Sequence, residues 1–461
     1  MLIQNIKTSL NSYEIYSLFK DEPYSFLLDS GMDHNILGKY SFIGYDPFLV
    51  FKSKGNHISI MENGVATYQT GNPLNKLKEL MHQYKMDYHH NIPFIGGAVG
   101  YLAYDICHYI EKLPRTAEDD INIPDCYFGF YDGLIIMDHV NDNVYASSLG
   151  IKHNAKQKIE EINNKIMQGQ KNKRVIAKSS RNIIDTLLKS NFTKEQYIKA
   201  VNKIKNYIRE GDIYQANLTQ RFECKLTETA FELYTRLREI NPAPFASFIN
   251  FGEGYIVSSS PERFIKIDNG VIETRPIKGT RPRGKTIEAD IKNREELQES
   301  EKDKAELLMI VDLERNDLGK ICKSGTVKVP QLFNLEKYST VYHLVSTVVG
   351  ELRDNCDVID CIKATFPGGS ITGAPKIKAM EIIDELEPTQ RNVYTGSIGY
   401  LGFNGNVDLN IAIRTILCKG EKAYFQVGGG IVWDSDPELE YQETLHKAKA
   451  LMQALNSKLV Y

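Results

Sequence analysis

The chain lacks the signals that would send it to a membrane, an oxidising compartment or a nucleic acid. Its 461 residues hold only seven cysteines, Cys107, Cys126, Cys224, Cys322, Cys356, Cys361 and Cys418, with no CxxC pair and no regular spacing. An odd, dispersed set fits reduced core thiols better than a disulfide frame. No run of 18 apolar residues occurs, which excludes a membrane-spanning helix. The N-terminus MLIQNIKTSLNSYEIYSLF has no basic segment followed by an unbroken apolar run, so no signal peptide is expected. A formal net charge of −3 gives no global field favouring DNA or anionic lipid. These absences predict a cytoplasmic protein that binds neither nucleic acid nor membrane.

What is present is ordinary for a large globular protein: 42% hydrophobic and 25% charged residues, enough for a sizeable core. The length suggests about two to four folding units. Residues 1–150 read as short strands broken by Asn, Asp and Gly, as in YSFLLDSG (24–31), KYSFIGYDPFLVF (39–51) and HISIMENGVATYQT (57–70). FIGGAVGYLAYD (94–105) resembles GxGxxG only loosely and opens no helix, so it predicts no dinucleotide site. A charged stretch over 151–182 reads as one exposed helix running into a Lys/Asn-rich linker. In 191–461, a helix capped by Thr193 and ended by Gly211 precedes several strands, among them a hairpin turning at Asp268-Asn269-Gly270. Two long helical patterns carry acids, 288–314 and 437–455, the second opened by Asp436 and Pro437. Strand runs alternating with grouped helices predict an α+β fold with a largely antiparallel sheet.

Several groups of residues could carry chemistry. Asp303 and Glu306 lie three apart on a predicted helix, and Glu440 and Glu443 repeat that spacing. Each pair shares a helix face. Two such faces meeting would give four carboxylates, a hard oxygen site suited to Mg²⁺. Solvated acids paired with Lys304 and Lys447 would show the same spacing, so both readings stand. FPGGSITGAPK (366–376) fails as a Walker A motif because Ala374 and Pro375 replace the Gly-Lys end. It reads as a Gly-rich turn entering a helix, either a plain loop or a place where amides bind a carboxylate or phosphate. Gly428, Gly429 and Gly430 indicate a ligand lying against bare backbone or a tight strand crossing. Arg414 reads as a lone cation within an apolar strand, salt-bridged or aimed at an acidic ligand.

TRPIKGTRPRG (274–284) packs Arg275, Lys278, Arg281 and Arg283 into eleven positions, interrupted by two prolines and two glycines. That punctuation excludes an ordinary amphipathic helix. With no interleaved aromatics, a nucleic-acid contact is not expected. A solvated basic loop and a lysine prepared for chemistry remain. Like charge from Arg275 and Arg281, together with burial, would disfavour the Lys278 ammonium and leave an amine able to act as nucleophile or base. Glu262, in SSSPERF, lies just upstream.

Taken together, SSSPERF, ETRPIKGTRPRG, ELLMIVDLERNDLGKI, VYHLVSTVVG, PGGSITGAPK, YTGSIGY, NIAIRT and VGGGIVWDSDPELEYQET closely resemble the chorismate-utilising enzymes. The likeness is strong over 190–455 and continues through FLLDSG, GKYSFIG and PFIGGAVGYLAYD. It implies a largely antiparallel β-sandwich with helices packed outside, with an N-terminal region 1–150, a helical linker 151–190 and a chorismate-binding region 191–461. It further implies Mg²⁺ ligated by Glu306 and Glu443, with Asp303 and Glu440 holding metal-bound waters. Gly373, Ala374 and Gly428 to Gly430 match the family's carboxylate cradle. Ser370, Tyr394, Arg414 and Lys447 match further substrate contacts, with Arg414 suited to the enolpyruvyl carboxylate. His343 matches a residue beside the ring, and Glu262 the general acid that protonates the departing 4-hydroxyl.

The family's branches differ at position 278. PIKGT, with YQANL at 214–218, is similar to the aminodeoxychorismate branch, whereas the anthranilate branch carries PIAGT. This implies amination of chorismate at C4, towards 4-aminobenzoate and folate. No cysteine lies in a Gly-x-Cys-x-Gly elbow, so the resemblance also implies a separate glutamine amidotransferase subunit as the ammonia source. Anthranilate formation, isochorismate or salicylate formation, and a non-catalytic chorismate or amino-acid sensor are the alternatives. Some members hold tryptophan at positions matching Ser30, Lys39, Tyr40, Ser41, Phe42, Pro244, Phe245 and Ala246. Here RYSF reads KYSF and NPSPY reads NPAPF.

Overall fold

The computed structural model describes residues 1–32, 37–152, 154–171, 186–338 and 341–459. Two large sheets organise them. The first, 13-stranded among the described residues, runs from Leu2–Ile6 through Asn143–Ser148, Gly133–Asp138, Tyr40–Gly44 and Phe26–Asp29 to Phe245–Asn250. It continues through Tyr255–Ser260, Thr415–Lys419 and Lys422–Ile431 to Gln215–Lys225. The second, 12-stranded, runs from Ile277–Pro282 through Val341–Glu351, Val271–Thr274, Arg263–Asp268, Val407–Asn410 and Ser397–Gly402. From there it passes to Gly97–Leu102, Cys126–Tyr131, Leu49–Lys54, His57–Glu62 and Val65–Thr70. Both sheets therefore pass from the first 150 residues into the rest of the chain. Ala246 stands opposite Asp29 in one, and Gly399 opposite Gly100 in the other.

Pairing is antiparallel apart from short edge contacts such as Thr186–Ser190 with Ser457–Leu459. This is the α+β, largely antiparallel sandwich expected from the sequence. Alternation sends Phe26, Phe51, Tyr101, Phe128, Leu344 and Leu409 into the space between the sheets, where they are buried. Helices cover the outside. Ser12–Ser17, Ala155–Lys171, Ala230–Ile240 and Pro437–Ala454 pack on the first sheet. Glu301–Gly319 buries Leu307, Ile310, Val311 and Leu318 and packs on Val341–Glu351 of the second. Among the described residues, no helix is long and apolar enough to cross a membrane.

Local signals decide the boundaries. Thr193 caps Lys194–Glu210, with Gln196 returning the capping-box bond, and Gly211 ends it at φ 87°. Asn269 and Gly270 take φ of 50° and 79°, the pair of positive values that a two-residue hairpin needs. Three expectations change. The acid-bearing pattern 288–314 is two helices, Ile287–Glu299 and Glu301–Gly319, because Ser300 leaves helical geometry and its hydroxyl accepts from Asp303 N at 3.2 Å. The charged Ala155–Lys171 helix is amphipathic rather than exposed, since Ile159, Ile162 and Ile166 are buried. The linker expected after it lies, over 172–185, outside the described residues. Finally, the basic stretch contains a strand, Ile277–Pro282.

Candidate active site

A narrow set of backbone approaches builds the cradle. Gln215–Lys225 pairs with both Gly373–Ala374 and Lys422–Ile431, placing Ala216 opposite Gly373, Asn217 opposite Gly430 and Thr219 opposite Gly428. A Cβ at Gly373 (φ 150°) would stand 2.1 Å from Gln215 O, and one at Gly428 would stand 2.4 Å from Leu218 O. At Gly430 it would stand 2.0 Å from Gln215 Nε2. At Gly373 and Gly428 the obstacle is backbone, so only glycine fits; at Gly430 it is the end of the Gln215 side chain. Gly429 faces the other way, where a Cβ would lie 3.2 Å from Glu440 Oε2, 3.6 Å from Glu443 Oε1 and 3.7 Å from Lys447 Nζ. Next to Ala374, Lys376–Leu386 starts after Pro375 with no side-chain cap among the described residues.

The four acids have distinct partners. Asp303 meets Arg281 at 3.2 Å, Glu440 accepts from Ser435 Oγ at 2.6 Å, and Glu443 pairs with Lys447 at 2.6 Å. Lys447 also donates to Gly428 O at 2.9 Å. Burial raises the Glu306 pKa, as do the negative charges of Asp303 and Glu443, against the pull of Lys278 and Lys302. Burial works against the Glu443 carboxylate too, but Lys447, Lys302 and Lys278 outweigh it and hold the pKa below the usual value. Among the described residues, no three acid, histidine or cysteine groups close on one point. Two carboxylates that sense each other's charge, with two more acids beside them, nevertheless fit Mg²⁺. That ion usually keeps several waters and takes only one or two carboxylates.

Lys278 is aimed by a bulge. It stands opposite Leu344, the register slips at Gly279 (φ 76°), and Thr280 resumes opposite His343. The half-buried side chain brings Nζ 3.3 Å from Ser370 O. Enclosure of the ammonium lowers its pKa; Lys447 adds to this, while Glu306, Glu262 and Glu443 oppose it. The flanking arginines do not supply the like charge expected of them. Arg275 is ion-paired with Glu336, Arg281 with Glu296 (2.9 Å) and Asp303, and Arg283 with Asp290 (2.7 Å).

Glu262 is 5% exposed and accepts from Ile277 N at 3.3 Å. Burial pushes its pKa up to about 7, against the Ser370 hydroxyl and Lys278, so near neutrality it can carry a proton to give. Ser370 Oγ influences Glu262 yet makes no hydrogen bond of regular geometry among the described residues, leaving a buried hydroxyl for a ligand.

Arg414 is not inside a strand. It lies in the break where the chain passes from Val407–Asn410 of the second sheet to Thr415–Lys419 of the first, at φ 52°. No side-chain ion pair holds its guanidinium among the described residues, and burial lowers its pKa against Tyr394 and Glu443. An enclosed, unpaired guanidinium calls for an anion. Burial and Arg414 bring the His343 pKa down to about 4, so the imidazole is neutral, with Nδ1 2.9 Å from Thr280 Oγ1. Burial raises Tyr394 to about 12.

Two further residues were not singled out in the sequence, although they lie in stretches that carry the resemblance, YQANL and DLERNDLG. Gln215 is 1% exposed, with no partner for Oε1 among the described residues, and its amide lies over Gly430. Glu314, buried on the Glu301–Gly319 helix, accepts from Thr274 Oγ1 at 3.1 Å, and burial together with the charge of Glu262 raises its pKa well above the ordinary carboxylate value. Only the tertiary fold brings them to the site.

A cavity of about 430 Å³ lies elsewhere, lined by Ser30, Lys39, Tyr40, Phe42, Pro244, Phe245 and Ala246. Its wall includes Arg263, held by Asp408 and Glu273, each at 2.9 Å. Ser41 does not line it; its hydroxyl donates to Asp29 at 3.1 Å and lies 2.7 Å from His139 Nε2.

A family model described as chorismate binding enzyme matches residues 23–453. The chain is 41% identical over 455 residues to anthranilate synthase component 1 of Acetivibrio thermocellus, covering 96% of this chain and 92% of that one. It is 39% identical over 442 residues to aminodeoxychorismate synthase component 1 of Escherichia coli, covering 95% of each. The solved structure of anthranilate synthase component I from Streptococcus pneumoniae superposes with a TM-score of 0.79 at 34% identity, covering 91% of this chain and 93% of that one.

Proposed function

This chain belongs to the chorismate-binding enzymes, and from that premise we propose that it aminates chorismate at C4 to give 4-amino-4-deoxychorismate. Ammonia comes from a glutamine amidotransferase partner, and the product feeds 4-aminobenzoate and folate synthesis in the cytoplasm. The observation that carries the reading is Lys278, whose Nζ reaches Ser370 O at 3.3 Å in an enclosure that lowers its pKa, and which senses the charge of the buried Glu262.

In this scheme Arg414 takes the enolpyruvyl carboxylate, and the Gly373–Ala374 and Gly428 to Gly430 backbone, with Lys447, takes the ring carboxylate. Glu306 and Glu443, backed by Asp303 and Glu440, would hold Mg²⁺, whose charge would offset that of the ring carboxylate. The neutral Lys278 Nζ attacks C2, electrons shift through the ring, the C4–O bond breaks, and Glu262 gives its proton to the departing hydroxyl as water. Ammonia then attacks C4, and the C2–Nζ bond breaks with its electron pair returning to the lysine. Two displacements put the amino group at C4; direct attack by ammonia at C2 would give the 2-amino isomer. Neutral His343 and Tyr394 line the ring.

The second reading, amination at C2, is favoured by the 41% identity to an anthranilate synthase component. Product identification decides. The purified chain with chorismate, Mg²⁺ and ammonium should release 4-amino-4-deoxychorismate, and anthranilate or isochorismate as product sinks the C4 reading. The 430 Å³ cavity supports a bound tryptophan, with Phe42 and Phe245 in its wall. A calorimetric titration that shows no heat with tryptophan, on protein freed of bound amino acid, removes that assignment.

A further inference from the structure

The segment that supplies Tyr394 also supplies an ion pair hidden behind the cradle. The Arg391 and Glu387 side chains are 1% and 3% exposed. Arg391 Nε and Nη2 donate to the two Glu387 oxygens at 2.8 and 2.7 Å. The rest of the guanidinium bonds to three separate places. Nη1 donates to Ile371 O at 2.9 Å and Thr395 Oγ1 at 3.3 Å, and Nη2 to Asn217 O at 2.6 Å. Glu387 Oε1 in turn accepts from Thr219 N at 2.9 Å and Thr219 Oγ1 at 2.8 Å. Tyr104, from the first 150 residues, backs the guanidinium with its ring centroid 4.8 Å away.

Each contact reaches a different wall of the site. Ile371 lies between Ser370 and Gly373. Asn217 and Thr219 are the register partners of Gly430 and Gly428. Thr395 follows Tyr394. A buried ion pair is weak evidence for stability by itself, because desolvation offsets much of its attraction. The planar fork of arginine, by contrast, fixes several acceptors at set distances, which a lysine ammonium on a flexible stem cannot do.

We propose that the Arg391–Glu387 pair is a positioning device that sets the spacing between the Ser370–Ala374 turn, the Gly428–Gly430 strand and Tyr394, and so the width of the carboxylate cradle. The chorismate reading supplies only the identity of the ligand. Arg391→Lys keeps a buried cation opposite Glu387 but loses the fork. Amide hydrogen exchange at 371–374 and 428–430 should quicken at least tenfold, with the remaining strands of the first sheet unchanged, and chorismate should bind at least tenfold more weakly. Wild-type exchange in both segments overturns the proposal. The double variant Arg391→Met, Glu387→Met removes the desolvation cost and separates spacing from stability. Its melting temperature should recover relative to Arg391→Met alone, while the fast exchange and weak binding persist. Recovery of wild-type exchange and affinity in the double variant would mean the pair merely fills space. If the wild-type protein fails to bind chorismate, the functional reading falls, and the exchange data still decide the positioning.

Discussion

The Lys278 ammonium senses the positive charge of Lys447, far along the chain, rather than that of the arginines beside it in sequence. Those arginines are neutralised by Glu336, Glu296, Asp303 and Asp290. Replacing Lys278 with alanine should abolish 4-amination while leaving chorismate binding largely intact, since the cradle is built elsewhere. A Lys278→Ala protein that forms 4-amino-4-deoxychorismate at the wild-type rate, measured by chromatography of the products, would falsify the covalent step.

Glu262 and Lys278 set opposing limits on pH. The acid must keep its proton, and that form is lost as pH rises through about 7. The amine must be free, and that form is lost as pH falls through its depressed pKa. The turnover rate should therefore be bell-shaped in pH. Glu262→Gln should lower it roughly 10²- to 10⁴-fold, the usual range for losing a general acid, and remove the alkaline limb. An unchanged alkaline limb would assign that limb to another group.

The same carboxyl links pH to stability. Its folded pKa lies above the ordinary carboxylate value, so between about 4.5 and about 7 the folded state binds the extra proton. Its contribution is thus present at acid pH and lost as pH rises through that window. Across it, Glu262→Gln should flatten the fall in melting temperature that the wild type shows.

Removal of divalent metal should stop turnover. Asp303→Asn and Glu440→Gln, if these acids act behind the ligands, should weaken the apparent Mg²⁺ affinity by about 10- to 100-fold. Glu306→Gln should weaken it more. Equal Mg²⁺ titrations for Glu306→Gln and wild type would remove Glu306 from the site.

Gly373→Ala tests the cradle's backbone. The added methyl would lie 2.1 Å from Gln215 O at φ 150°. Strain of this kind costs about 1–3 kcal/mol, and denaturant unfolding should show a loss of that order together with a raised KM for chorismate. A fully active, equally stable variant would show that the turn can shift without cost.

Elements whose determinants lie within a few residues were legible in the sequence. The Thr193 and Asp436 caps, the Asp268-Asn269-Gly270 turn and the glycine run all lie where local chemistry put them. What the sequence hid depends on partners distant along the chain. Arg414 looked like a strand residue because apolar neighbours flank it, yet the chain changes sheets there. Ser300 breaks a pattern that hydrophobic periodicity alone reads through. Gln215 lies on a strand, Glu314 on a helix and Arg391 in the turn before Ser397–Gly402, and only the tertiary packing of those elements brings them to Gly430, Thr274 and Ile371.

The continuity of both sheets has a practical consequence for anyone cutting the chain. A fragment beginning near residue 190 would keep the proposed catalytic groups but lose the strands that pair with Phe245–Asn250 and Ser397–Gly402. Each sheet would then end in a row of unpaired amides and carbonyls bordered by apolar side chains, a template for aggregation. Such a fragment should be insoluble when expressed alone and rescued when residues 1–150 are supplied as a separate polypeptide.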